Sequence, residues 1–164
     1  MHSLGIAYVE ISVGKAENAE RRLRVAREFL GSLGNVWWID LVDGCICDAV
    51  GAQDRPREFL RLVDAFSASV QMTDRATLVG RQLLLARAHL LRGSAPEAEA
   101  AARRALALSE PSDALPKHAN ALLMLAEVLD ARDQSDDAAA ARSHAIAKLR
   151  AKGNLAAVAR LSNR

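Results

Sequence analysis

The strongest constraint on this chain is a helical hairpin written twice between Leu83 and Arg150. Leu85 falls on Leu125, Ala86 on Ala126, Arg92 on Arg132 and Ala98 on Ala138, at an offset of forty residues. The same offset carries Ala101 onto Ala141, Ala105 onto Ala145, Leu106 onto Ile146 and Ala107 onto Ala147. Periods of this size mark arrays of stacked helical hairpins, because one hairpin cannot bury both of its faces whereas a stack can. Two antiparallel helices come close only where a side chain of one leaves room for the other. Alanine at fixed positions in both helices therefore predicts close crossings.

Composition points the same way. About half of the 164 residues are hydrophobic, enough for one domain with a core, yet aromatics make up only 4%. A core rich in alanine and short of aromatics favours an all-α class, and no β-sheet is expected. The formal charge of +2, with acids and bases intermixed, gives no strong field for nucleic acid or an anionic membrane. The apolar opening Leu4 to Val13 has no basic segment before it and is interrupted by Glu10, so it reads as a first helix rather than a signal peptide or a membrane span. Cys45 and Cys47 are too close in sequence to pair within a helix, and a reducing, cytoplasmic setting is the expectation.

The forty-residue rhythm reaches back to the start of the chain. Leu4 to Val13 is followed by Gly14, which can end it in a left-handed conformation. Glu17 to Leu30 is its partner, with Ala19, Leu23, Ala26 and Leu30 inward and Glu20, Arg21, Arg24 and Arg27 outward. Gly31 to Asn35 breaks the pattern. Val36 to Val50 opens the second unit, and Asp54 and Pro56 are expected to start its second helix, with Phe59, Leu62, Val63, Ala65 and Phe66 on the inner face. Thr73 and Asp74 are caps for the third unit, Gly93 stops its first helix, and Ser94 with Glu97 forms a capping-box pattern around Pro96. Pro111-Ser112-Asp113 begins the fourth unit, and Lys152-Gly153-Asn154 ends it. Ala26, Ala65, Ala105 and Ala145 mark the same place in successive second helices. The units are residues 1–34, 35–72, 73–112 and 113–153, followed by a capping helix over 154–164, all within a single domain.

These residues resemble a tetratricopeptide-repeat array of the longer variety. Ala86, Ala98 and Ala105, then Ala126, Ala138 and Ala145, stand at the small helix-crossing positions. Ala105 to Asp113, Ala121 to Leu129, Leu33 to Trp38 and Lys152-Gly153-Asn154 are similar to the C-terminal repeats of bacterial cyclase-linked or ATPase-linked signalling proteins. The resemblance implies a right-handed α-solenoid of about four hairpins. It also implies a non-catalytic scaffold that binds a peptide, a partner domain or another copy of itself, with a small molecule held in the superhelix groove as the alternative. In such arrays the first helices line the concave side. That register places Asp40, Asp43, Cys47, Arg87, Asn120, Glu127 and Asp130 as candidate partner-binding positions, and their acids disfavour nucleic acid. A clamp for acidic tails would need lysine and asparagine where Tyr8, Cys47, Arg87 and Glu127 stand.

Chemistry-bearing motifs are sparse. Cys45-x-Cys47 lacks the paired ligands that zinc takes, and His2, His89, His118 and His144 are not spaced to supply them, so no metal is expected. Cys45 reads as core, Cys47 as a helix-surface thiol, and the histidines as packing or interhelical groups. No phosphate-cradling Gly-x-x-x-x-Gly-Lys-Ser/Thr loop and no cyclase aspartate motif is present in the sequence, so neither a cofactor nor a catalytic residue is assigned. Trp37 and Trp38 diverge by about 100° on a helix, which turns one inward and leaves the other to cover neighbouring surface. Leu4, Ile6, Val9 and Ile11 form an apolar surface on the first helix, a candidate interface for self-association or a preceding domain.

Overall fold

The computed structural model describes residues 2–70, 74–110 and 115–162, which form nine α-helices and no strand. The chain divides into two compact units, Met1–Thr73 and Asp74–Arg164. The first holds α1 (His2–Ser12), α2 (Ala16–Ser32), α3 (Val36–Gly51) and α4 (Pro56–Ser69). Within it each helix packs on its sequence neighbour, and α1 also reaches α3. The second holds α5 (Arg75–Leu91), α6 (Ala95–Ser109), α7 (Leu115–Asp130), α8 (Ser135–Ala151) and α9 (Leu155–Ser162). There α5 and α6 pair, α7 and α8 pair, α7 packs on both α5 and α6, and α9 lies on α8.

One turn recurs through both units. The amides of Lys15, Asn35, Ser94, Gln134 and Asn154 each donate to the carbonyl five residues back, at 2.7 to 3.1 Å. The residue before each of these is left-handed: Gly14, Gly34, Gly93, Asp133 and Gly153. This closure satisfies carbonyls that a helix end would otherwise leave without a partner, and only a positive φ lets the chain make it. Gly14 and Gly34 stand twenty residues apart, as do Asp133 and Gly153, while Gly93 and Asp133 stand forty apart. A helix and its turn thus occupy twenty residues, and the sequence period of forty is two of them.

Caps follow a second rule. Asn35 and Asn154, each directly after a left-handed glycine, accept from the amides of Trp38 and Ala157 at 3.3 and 3.2 Å. Asp74 accepts from Thr77 at 3.1 Å, the cap expected there. Two other expectations fail. Ser94 occupies the N-cap of α6 but its side chain makes no cap bond; its own amide is already donated to His89 at 2.9 Å, so the reciprocal bond of a capping box has nothing to receive. Asp54 does not cap α4, whose N-cap residue is Arg55. The chain makes an extra tight bend there, Arg55 N–H to the Gln53 carbonyl at 2.8 Å, and the helix begins one residue later. Thr73 and Pro111-Ser112-Asp113 lie outside the described residues.

The two cores are built differently. In the second unit Ala86, Ala98, Ala101, Ala102, Ala126 and Ala138 are buried together with Leu125, Val128 and Leu129, and Ala119 and Ala145 pack with Leu122, Leu149 and Val158. Enlarging a residue in so close a contact costs about 1–3 kcal/mol. In the first unit the marker alanines do not serve this purpose. Ala26 is half-buried and Ala65 is exposed, whereas Phe59, Val63 and Phe66 fill the interior from α4. The small partner is on the facing helix: a Cβ added at Gly44 would meet the Phe66 ring at 3.4 Å. Bulk and space have exchanged sides, so the crossing persists without the alanine.

Gly93→Ala should lower unfolding stability by roughly 1–2 kcal/mol, because alanine pays for the left-handed conformation. Asp133→Gly, at the same place one repeat later, should raise it by about 0.5 kcal/mol once the added freedom of the unfolded glycine is set against the relieved strain. Chemical denaturation of the two variants beside the wild type checks both signs.

Candidate functional site

The positions expected from the repeat register separate by burial. In the first unit Asp40 and Cys47 are 5% and 1% exposed, and Asp43 is held by Arg27, whose Nη2 donates to Asp43 Oδ2 at 3.1 Å. Cys47 is therefore interior and Cys45 half-buried, the reverse of the reading from sequence. Asp43 and Cys47, one turn apart on α3, both border a cleft of about 350 Å³ walled by α2 and α4. In the second unit Arg87 lies exposed on α5, and Asn120, Glu127 and Asp130 lie exposed on α7, with Asp130 paired to Arg142. On α1, Ala7 turns inward, Leu4 and Ile11 are half-buried, and Ile6, Tyr8 and Val9 are exposed, as is Val13 just after the helix.

A wider concavity lies elsewhere, along α2 in the first unit, with a volume of about 930 Å³. Its wall follows α2 from Asn18 through Arg21, Arg22, Val25 and Phe29 to Leu30, and Leu4 of α1 and Trp38 and Val42 of α3 close its sides. Val25 and Phe29 are 63% and 64% exposed, and Leu33, one further turn along, is 62% exposed. The sequence carried a signal for this. Ala19, Leu23, Ala26 and Leu30 already supply the inward stripe of α2, so Val25, Phe29 and Leu33 form a second stripe that the hairpin does not need. Trp37 and Trp38 meet edge to face at 4.8 Å between ring centroids, Trp38 facing the groove and Trp37 exposed.

A charge network braces the same unit. Glu20, expected outward, is 8% exposed. It accepts from Arg24 at 2.7 and 3.0 Å, from Gln53 at 2.8 Å and from Arg55 at 2.6 Å. Glu58 accepts from Arg24 at 3.1 Å and also pairs with Arg55. The network ties α2 to the α3–α4 turn and to α4, at a described hairpin that has no left-handed residue to fix it. Burial pushes the Glu20 carboxyl up, but the hydrogen bonds from Gln53, Arg24 and Arg55 outweigh it and hold the pKa below its ordinary value. Nearby, Arg22 grips Glu10 with both Nε and Nη2, at 3.3 and 2.9 Å, joining α2 to α1.

In the second unit Ser109 Oγ donates to the Leu106 carbonyl at 2.7 Å and lies 3.1 Å from His118 Nδ1. Since the hydroxyl proton is engaged, the ring nitrogen is assigned as the donor. A serine whose proton is held by a backbone carbonyl and whose histidine donates to it is not arranged as a nucleophile and base. Burial, and then the Lys148 charge, hold the His118 pKa below its ordinary value, and His144 stands edge-on at 6.3 Å. No cluster of three or more metal-ligating side chains occurs among the described residues. No protein-family model matches the chain, and no curated protein matches it.

Two measurements follow from these environments. Both Glu20 and His118 have folded pKa values depressed below their unfolded ones, so each contributes stability that is complete above the unfolded value, 4.5 for Glu20 and 6.5 for His118, and is lost as pH falls through the folded value. Denaturation across a pH series should show stability declining below 6.5 and again below 4.5; His118→Gln should flatten the upper decline and Glu20→Gln the lower. The Cys47 thiol is pushed up to about 12 by burial and by the neighbouring Asp48 and Asp43 charges. Alkylation at pH 8 should therefore spare Cys47 in the folded chain and reach it only after unfolding, as mass spectrometry of the labelled peptide would report.

Proposed function

We propose that this chain is a non-catalytic interaction module of the tetratricopeptide type, a right-handed α-solenoid of helical hairpins that docks a protein partner. The observation that carries the reading is the distribution of exposed large apolar side chains. Among the described residues eight of them, Ile6, Tyr8, Val9, Val13, Val25, Phe29, Leu33 and Trp37, lie in the first unit, against Leu91 and Leu155 in the second. Apolar residues scattered singly are ordinary on a protein surface, but stripes at helical spacing beside a groove mark a contact. The twenty-residue helix-and-turn period supports the repeat class, since every described turn but one closes in the same way. A regulatory role in bacterial signalling and a cytoplasmic setting belong to the same reading, on the strength of the repeat resemblance. No described helix is long and apolar enough to cross a membrane.

A second reading rests on the groove itself, whose volume of about 930 Å³ lies within the range of ligand cavities. A small-molecule sensor would show a ligand-induced thermal shift without any protein partner.

Partner capture by the tagged full chain, with light scattering over a tenfold concentration range, tests the first reading. Val25→Glu/Phe29→Glu or Ile6→Glu/Val9→Glu should abolish a captured band or dissolve a self-associated species by at least about tenfold while helical content stays unchanged. Arg87→Glu asks in parallel whether the second unit takes part. A chain that stays monomeric, and whose captured proteins are indifferent to all three variants, would overturn the reading.

A further inference from the structure

The groove along α2 is graded in polarity from one end to the other. Asn18, Arg21 and Arg22, with Glu10 of α1, line its first third, and Val25, Phe29 and Trp38 line most of the remainder, where Asn35 is the one polar side chain. At the polar end Arg22 is neutralised by Glu10, whereas Arg21 donates to the uncharged amide of Asn18 at 2.6 Å. One net positive charge is left there. Glu17 in the first turn of α2 answers the helix dipole there, so the positive potential at this end comes from the Arg21 side chain. From Asn18 to Leu30 the wall runs for about 18 Å at the helical rise, the length of three turns of a second helix lying alongside. The exposed side chains Val25, Phe29 and Leu33 recur every four residues, which is the ridge spacing that an incoming helix interdigitates with.

We infer that this groove receives one amphipathic helix of a partner protein, with aliphatic or aromatic side chains on its buried face and carboxylates at the end that lies over Arg21. The inference rests on the interaction-module reading and adds the chemistry of the occupant. Charge complementarity selects the partner and sets its direction along α2, while Phe29, Val25 and Trp38 supply the buried contact. A second copy of this chain fits less well. Its own exposed stripe, Ile6 and Val9 on α1 with Val13 just after it, is flanked by Glu10, and Glu10 is already bound to Arg22.

Three synthetic sixteen-residue helices with the same leucine face test it on the full chain. One carries glutamates in its first turn, one in its last turn, and one carries lysines in place of both sets. Trp38 lines this groove and Trp37, the other tryptophan of the chain, meets it edge to face, so their emission reports occupancy. One glutamate helix should shift that emission and bind about tenfold more tightly than the lysine helix. Arg21→Glu should remove or invert this preference, and Phe29→Glu should weaken every helix by about tenfold or more. Because both side chains are exposed, both variants should keep the wild-type circular dichroism. Equal binding of the acidic and basic helices, or a preference indifferent to Arg21, would overturn the inferred occupant. If partner capture still depended on Val25 and Phe29 in that case, the module reading would stand and only the acidic helix would be wrong. A concentration-dependent dimer that buries the tryptophans and excludes all three helices would replace the partner helix with a second copy.

Discussion

The second unit depends on backbones that approach each other at alanine. A leucine at Ala86, Ala102 or Ala126 would hold its helices apart, and the aliphatic side chains beside them, Leu125, Val128 and Leu129, would lose the contacts that they now make. Each alanine contributes little buried area of its own. Its effect is to set the distance at which the larger neighbours meet. The recurring left-handed turn serves the same end, since it fixes where one helix stops and the next starts, and so which alanine faces which.

The first unit reaches comparable packing with other means. Phe66 projects from α4 into space left by Gly44, and the α3–α4 turn is held by Glu20, Arg24, Gln53, Arg55 and Glu58 rather than by a left-handed residue. A carboxylate so nearly buried is stable only because several donors converge on it; removing them would leave a charge that the interior cannot solvate. Charge and aromatic bulk therefore do in one unit what methyl-sized contacts do in the other.

Much of the helix order was legible because the signals are local. Gly14, Gly93 and Gly153 announce the turns, Asp74 announces a cap, and three- and four-residue spacing picks out Ala19, Leu23, Phe59 and Val63 as interior. What escaped the reading depends on partners distant in sequence. Glu20 looks like one more charged residue on a solvated face until Gln53 and Arg55 are brought to it by the next hairpin. Ala65 matched the repeat yet points outward, because periodicity of residue type cannot say which side of a crossing carries the bulk. Cys45 and Cys47 exchanged roles for a similar reason: two positions two apart on a helix face different ways, and only the placement of α2 and α4 decides which is covered. The groove was readable in part, from the surplus apolar stripe of α2, but its polar end needed the pairing of Arg22 with Glu10 to become visible.

The alanine crossings also bear on how such a sequence can drift. From an alanine codon, a single nucleotide change reaches only glycine and serine among residues of similar size. Glycine weakens a helix interior by roughly 1 kcal/mol, and serine brings a hydroxyl that bonds back to a carbonyl of its own helix, as Ser109 does to Leu106, which mildly destabilises and bends the helix. Nearly every one-step amino-acid change at Ala98, Ala102 or Ala138 therefore costs stability, while changes on the outer faces of the same helices cost little. Over long times a repeat of this kind would keep its alanine spacing after most other identity between copies had been erased.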